Sequence, residues 1–327
     1  MLRTIIATSA NDFHRLQPAW EHLQRSGGAT IFQSFSWNWL AAGFFADREQ
    51  PYVVLAESDS GMAIIPAAIS PRNQEVTFLG EALFDYRDLL AAGDGGVVRA
   101  AWSAIAKLGL PVRICGLRGE TVAHAWNSFH PQFFCNAPAI AAGQISADDF
   151  TDRHRRLGWR SRRLLRQGAV LRRYSGMSSD LVRWIYKQKA RQFAGDANNL
   201  FSDRARTEFM VCMARLQPEA CDIFTVEAEG RTVAALVTLL EERTRRFYTV
   251  YHDAKWGHHS PGTVLLYKVT RRTLAEGLGC DYMTGEQPFK QRLATCAVPL
   301  FRAHASAAEL AEICGGEIRM TIPQSAA

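Results

Sequence analysis

"DIFTVEAEGRTVAALVTLLEERTRRFYTVYHDAKWGHHSPGTVLLYK", residues 222–268, decides the fold. Residues 222–243 read as strand, polar turn at Gly230, strand. "RRFYTVYH", from Arg245, supplies a third strand, and a glycine-bearing loop then opens an apolar helical pattern over 257–277. A short strand, "CDYMTGE", closes the unit. A meander followed by a helix and a further strand predicts a mixed α/β unit.

The same order occurs earlier in the chain. "PYVVLAESDSGMAIIPAAISPR" (51–72) is a hairpin turning at Gly61. "EVTFLG" from Glu75 reads as its third strand, "GDGGVVRAAWSAIAKLG" (93–109) as loop and helix, and "PVRICGL" as the closing strand. The two copies lie about 170 residues apart, a domain-scale period rather than a solenoid repeat. Helices precede both hairpins. "SANDFHRLQPAWEHLQRSGG" ends on Gly27 and Gly28, "SSDLVRWIYKQKARQFAG" opens on Ser178/Ser179, and "SDRARTEFMVCMARLQP" opens on Ser202. "APAIAAGQISADD" breaks the pattern, so the expected division is 1–145 and 146–327. Each part is predicted to be a mixed, mostly antiparallel sheet flanked by helices.

This layout resembles the GNAT acyltransferases, and two units in one chain resemble the double-GNAT branch. That branch includes acetyltransferases associated with cellulose and exopolysaccharide synthesis, and is related to the Fem-type aminoacyl transferases. "GLGCDYMTGEQPFKQRLAT" (277–295) carries the most specific likeness, with "FQSFSWNWLAAGF" (32–44) and "FDYRDLLAAG" (84–93) in the first half. The resemblance implies a co-substrate, acetyl-CoA or other acyl-CoA, held by the C-terminal unit, with the N-terminal unit lacking a donor site. The pantetheine arm would lie where the strand 246–251 splays from the strand 280–284, beside Val250 and Tyr251. The pyrophosphate would meet Gly257, His258, His259, Ser260, Gly262, Thr263 and Val264, where a helix starting near Thr263 offers unpaired N–H groups. The loop departs from the family's Gln/Arg-x-x-Gly-x-Gly/Ala pattern, because Pro261 stands at the first glycine and has no N–H to give. The alternative reading of 257–263 needs no ligand: Ser260 caps the helix and Pro261 is its first residue.

GNAT transfer is direct attack of an acceptor amine or hydroxyl on the thioester, with a base to remove the proton. Candidate bases are Asp253, favoured, and His252; neighbours on a strand face opposite ways, so one of the two serves. Glu286 is a further base or amine ligand, Tyr282 a candidate acid, and Lys290, in the aromatic-Lys pair, a partner for a phosphate or an acceptor carboxylate. The expected acceptor is a cell-envelope sugar, amino sugar, glycan precursor or small metabolite. Two other functions fit the same pattern: a tRNA-dependent aminoacyl transferase of the Fem type, or a non-catalytic binding protein on a decayed GNAT fold.

Composition narrows the setting. With 327 residues and 47% hydrophobic content, the chain is long enough for two cores. No apolar run reaches the roughly 18 residues of a membrane span. Seven scattered cysteines without a C-x-x-C pair argue against a zinc cage or disulfide framework, and a cytoplasmic location is expected. No metal is expected, since His258 and His259 are adjacent and no carboxylate stands at ligand spacing. The net charge of +6 is local: nine arginines fall between Arg153 and Arg173. Leu157, Leu164 and Leu165 recur near helical spacing there. The run therefore reads as a solvated helix face rather than a nucleic-acid site. Trp37, Trp39, Phe44 and Phe45 read as core.

Overall fold

In the computed structural model, residues 1–26, 28–119 and 127–315 are described. The chain divides into two compact units, Met1–Cys135 with Pro299 onward, and Asn136–Val298. The division expected at 145 thus lies inside the second unit. The return of the chain to unit 1 at Pro299 depends on long-range strand pairing, which no local signal marks.

Unit 1 begins with β1 (Arg3–Ala7), then a 3-10 turn over Ala10–Arg15 and α1 (Gln17–Arg25). The single helix read from 9–28 is split because Pro18 sits in the first turn of α1; Gly27 lies outside the described residues. Next come α2 (Phe35–Phe44), β2 (Gln50–Pro51), β3 (Val53–Ser58), β4 (Gly61–Ile65), β5 (Ala67–Ser70), β6 (Glu75–Phe78) and β7 (Leu90–Gly93). They are followed by α3 (Gly95–Ala106) and β8 (Val112–Arg118). One sheet has the order β1-β3-β4-β7, antiparallel throughout. The third strand of the meander is therefore β7, not the expected 75–80 segment. β6 pairs instead with β5 and, in parallel, with β8. Pro66 separates β4 from β5, so one extended stretch serves two partners. Gly93, at φ +91, explains the tight seam. A Cβ there would lie 2.2 Å from the Ser60 carbonyl oxygen. Trp37 and Phe45 are fully buried, as a core reading requires.

Unit 2 takes the end of β9 (Gln132–Ile140), then α4 (Ala147–Arg153), α5 (Arg155–Arg166), β10 (Val170–Ser175), α6 (Ser179–Gln192) and α7 (Arg204–Leu216). Its meander is β11 (Cys221–Ala228), β12 (Arg231–Glu241) and β13 (Thr244–His252), followed by α8 (Pro261–Ala275), β14 (Gly279–Asp281) and α9 (Pro288–Leu293). β15 (Cys296–Ala305) and α10 (Ala307–Gly315) close the described chain, and β15 pairs antiparallel with β8 in unit 1. The unit 2 order β10-β11-β12-β13-β14 repeats the β1-β3-β4-β7 meander, and β14 joins β13 in parallel. The protein is thus two tandem α/β units sharing one strand order. α7 is capped by Asp203 rather than Ser202, its carboxylate accepting from the Ala205 N–H at 2.8 Å.

The hairpin β11–β12 turns through Glu229 and Gly230, both at positive φ. The core of unit 2 gathers Phe224 and Leu236 from the sheet, Leu265 and Val269 from α8, and Phe150 and Leu164 from α4 and α5. In α5 the buried positions are Gly158, Ser161 and Leu164, one per turn. Gly158 is there because a Cβ would press the Tyr267 hydroxyl at 3.1 Å, where α5 crosses α8. Leu165, expected on that stripe, is exposed. Arg155, Arg156, Arg162, Arg163 and Arg166 point to solvent, while Arg172 and Arg173 are paired with Glu227 and Asp222. A gel-shift assay with RNA or DNA at physiological salt is expected to show no complex. A complex lost on changing Arg155, Arg156 and Arg160 to Ser would contradict this.

Candidate functional site

β13 positions the site. Its pairing with β14 covers only Thr244–Arg246, opposite Gly279–Asp281. Beyond Arg246 the two strands part, while β13 remains bonded to β12 as far as His252. The register with β12 slips where Val237 and Thr238 meet Thr249 and Phe247, which leaves Tyr248 as an extra residue. Such a bulge re-aims the strand that follows. Tyr251 then packs edge-on against Trp184, ring centroids 5.3 Å apart. Val250 packs with the core on the α8 side, and His252 lies beside Gly262 of α8.

The opening holds a cavity of about 610 Å³ lined by Tyr248, Thr249, Val250 and His252 of β13, by Gly257, Ser260, Gly262, Thr263 and Leu266, and by Gln287, Phe289 and Lys290. Lys189, Gln192, Phe193 and Phe201 complete it. Asp253 begins a 3-10 turn over Ala254–His259, and Ser260 leads from it into α8. Ser260 adopts φ 51°, ψ 49°, unusual for a residue with a Cβ. Its side chain makes no cap bond to the helix. The N–H groups of Gly262 and Thr263 therefore lack the partner a capping side chain supplies. Pro261 begins the helix, slightly earlier than expected, at a position where its missing N–H costs nothing. Gly262 has an additional reason to be glycine. A Cβ there would sit 3.2 Å from the His252 Cβ, whereas one on Gly257 would meet open space.

The structure brings some of the sequence candidates together and separates others. His252 lines the cavity, and its carbonyl accepts from the Gln192 side chain at 2.5 Å. The Asp253 carboxylate turns away to accept the Lys255 N–H at 2.9 Å, and Asp253 is not among the lining residues. Tyr251 is buried on the other face of β13, and burial, then Asp253, raises its hydroxyl pKa. The rings of His258 and His259 pack against each other at a tilt of 49°, centroids 3.8 Å apart, and do not line the cavity. Burial, then the charges of His258 and Arg163, lowers the His259 pKa. Val264 is core.

Tyr282 lies in the core, its hydroxyl 2.9 Å from that of Thr270 and its ring 4.9 Å from Phe247. Burial drives its pKa well above the usual range, and it is not among the lining residues. Glu286 is exposed and accepts from the Asn136 side chain at 2.9 Å, outside the lining. Lys290 does line the cavity, and its ammonium donates to the Thr284 carbonyl at 2.6 Å.

Sequence reasoning missed the α6 contribution. The Lys189 ammonium lies 4.6 Å from the Phe193 ring centroid and 4.9 Å from that of Phe201. Burial, then the charge of Lys290, lowers its pKa to about 8. The Lys189–Phe193 spacing of four places both on one helix face and was the available signal; the arrival of Phe201 from the next turn was not legible. Among the described residues no group of three or more His, Cys, Asp or Glu side chains is placed to hold a metal ion. No described helix is long and apolar enough to cross a membrane. Unit 1 has an opening of its own, about 760 Å³, lined by residues of β8, β15 and α10.

Residues 152–291 match the acetyltransferase (GNAT) domain family, a span that includes every residue lining the unit 2 cavity. That segment is similar to a GNAT acetyltransferase domain, and the two-unit fold is that of tandem-GNAT proteins. Three solved structures share the fold. FemX is 9% identical with a TM-score of 0.61, the match covering 95% of this chain and 100% of that one. L-PGS from Bacillus licheniformis is 13% identical, TM-score 0.55, covering 92% and 97%. A tandem GNAT protein from the clavulanic acid biosynthesis pathway is 10% identical, TM-score 0.54, covering 93% and 98%. At these identities the likeness is one of fold. No curated protein matches the sequence.

Proposed function

We propose that unit 2 transfers an acyl group from acyl-CoA to an amine or hydroxyl of a small acceptor, by direct attack within a ternary complex. One observation carries this reading: the edge of β13 that β14 leaves beyond Arg246 opens onto the uncapped first turn of α8, in a single cavity. An amide-bearing arm can add to a strand edge, and a helix N-terminus attracts a pyrophosphate. The residues present fit such a donor. Gly257, Ser260, Gly262 and Thr263 would hold its phosphates, with Val250 and Thr249 beside the arm, and Pro261 takes away one N–H that the wider family supplies. When bound, acyl-CoA supplies an activated thioester carbonyl. His252 is the proton acceptor for the attacking group, since it is the candidate base that lines the cavity. The donor site belongs to unit 2, and unit 1 carries none. Seven cysteines without a C-x-x-C pair suit a reducing, cytoplasmic setting.

Calorimetric titration with CoA, paired with mass spectrometry of the purified protein, tests the reading. Wild type is expected to bind CoA. Gly262→Val should bind at least about tenfold more weakly, because its side chain must displace His252 and crowd the helix start. No binding by wild type would reject acyl-CoA as donor. Stabilisation by aminoacyl-tRNA in its place would favour the aminoacyl-transfer alternative, the chemistry with which the fold of FemX is associated in the branch.

A further inference from the structure

We propose that the part of the unit 2 cavity formed by Lys189 and Lys290 binds an acid group, carboxylate or phosphate, carried by the acceptor. The inference rests on the acyl-transfer reading and narrows its acceptor class. The first support is the charge inventory: the cavity is lined by Lys189, Lys290 and His252, with no aspartate or glutamate among its lining residues. The second is the setting of Lys189. Its ammonium is held over Phe193 and Phe201, whose rings stack 6.0 Å apart at 16°. Among the described residues no carboxylate lies within ion-pair distance of it.

Lys189 is half-buried, and an ammonium partly drawn out of water without a counter-charge loses hydration. Two phenyl faces return only part of that cost, and the neighbouring Lys290 adds repulsion. These are the causes, burial first, that bring Lys189 to about pH 8. An anion placed here restores the missing counter-charge. The donor's phosphates are assigned to the start of α8, whereas Lys189 projects from α6. Gln192, one turn beyond Lys189 on that helix, is bonded to the His252 carbonyl. The anchor for the acid group and the candidate base are therefore tied to one another, an arrangement that presents the acceptor's nucleophile beside His252.

Inorganic phosphate and acetate serve as probes, measured by calorimetry and thermal shift on the full chain at pH 7, with and without saturating CoA. Wild type is expected to bind at least one of the two saturably, and to retain that binding when CoA is present; which one it prefers distinguishes a phosphate-bearing from a carboxylate-bearing acceptor. Lys189→Met should weaken anion binding at least about tenfold, and Lys189→Arg, which keeps the charge, should largely preserve it. Melting temperatures without anion show whether either variant is misfolded, and Lys290→Met provides a second removal of charge if Lys189→Met is. The proposal is overturned if neither anion binds wild type, if CoA displaces the anion completely, or if the neutral variants bind it as wild type does. Failure of CoA itself to bind would reject the donor assignment, while the comparison of wild type with Lys189→Met would still decide the anion site.

Discussion

Asp222→Ala is expected to destabilise unit 2 by about 3–5 kcal/mol, the cost of removing one partner from a buried ion pair. Asp222 and Arg245 are 5% and 1% exposed. One Asp222 oxygen accepts from Arg245 Nη1 at 2.5 Å, and both accept from Arg173, each at 2.8 Å. Arg245 also donates to Thr238 at 3.1 Å and, at 3.4 Å, to Glu276. This network links β10, β11, β12 and β13 to the end of α8. Without Asp222, Arg245 keeps its burial and loses its strongest partner. Its neighbour Arg246, on the opposite face, is held by Asp281 and Glu241 and cannot compensate. Arg245→Met in the Asp222→Ala background should recover part of the loss, because it removes the stranded charge and keeps an apolar stem over Phe224, where the guanidinium now lies 5.4 Å from the ring centroid. Denaturant unfolding followed by a unit 2 probe measures both effects. A loss below about 1 kcal/mol for Asp222→Ala would mean that water replaces the carboxylate and that the network is not a keystone of the sheet.

How far the sequence could be read depended on the range of the interaction involved. The unit 2 meander was legible because each strand pairs with its sequence neighbour, and the glycine turn at 230 marks the reversal. The unit 1 meander was misread at its third strand. Glu75–Phe78 has the same local character as Leu90–Gly93, and only the register of Ala63 with Ala91 shows which one pairs with β4. The site divides in a similar way. The helix start at 260–263 announced itself through Ser, Pro and Gly. The bulge at Tyr248, which sets the faces of Val250, Tyr251 and His252, arises from an extra residue against β12 and has no signature in β13 alone. Tyr282 and Val264 look like site residues in a one-dimensional alignment, yet their side chains point into the core. Lys189 gave the opposite difficulty. On an amphipathic helix it reads as an ordinary surface lysine until Phe201 and the cavity are brought to it.

His252→Ala is expected to lower the turnover of acetyl-CoA with an accepted amine or hydroxyl by about 10²- to 10⁴-fold, the range of a lost general base, with CoA affinity unchanged. The imidazole lies at the end of β13, against Gly262 on one side and in the cavity on the other. Asp253→Asn should behave differently. The amide oxygen can still accept the Lys255 N–H, so the 3-10 turn should keep its cap and turnover should fall only slightly. The sequence alone favours the carboxylate of this adjacent pair; the proposal of His252 rests on the cavity lining, from which Asp253 is absent. Thiol release measured on both variants, beside calorimetric CoA affinity, separates the two roles. A large fall in turnover for Asp253→Asn with little effect of His252→Ala would return the base to Asp253, and would require the 254–259 turn to open before the acceptor is deprotonated.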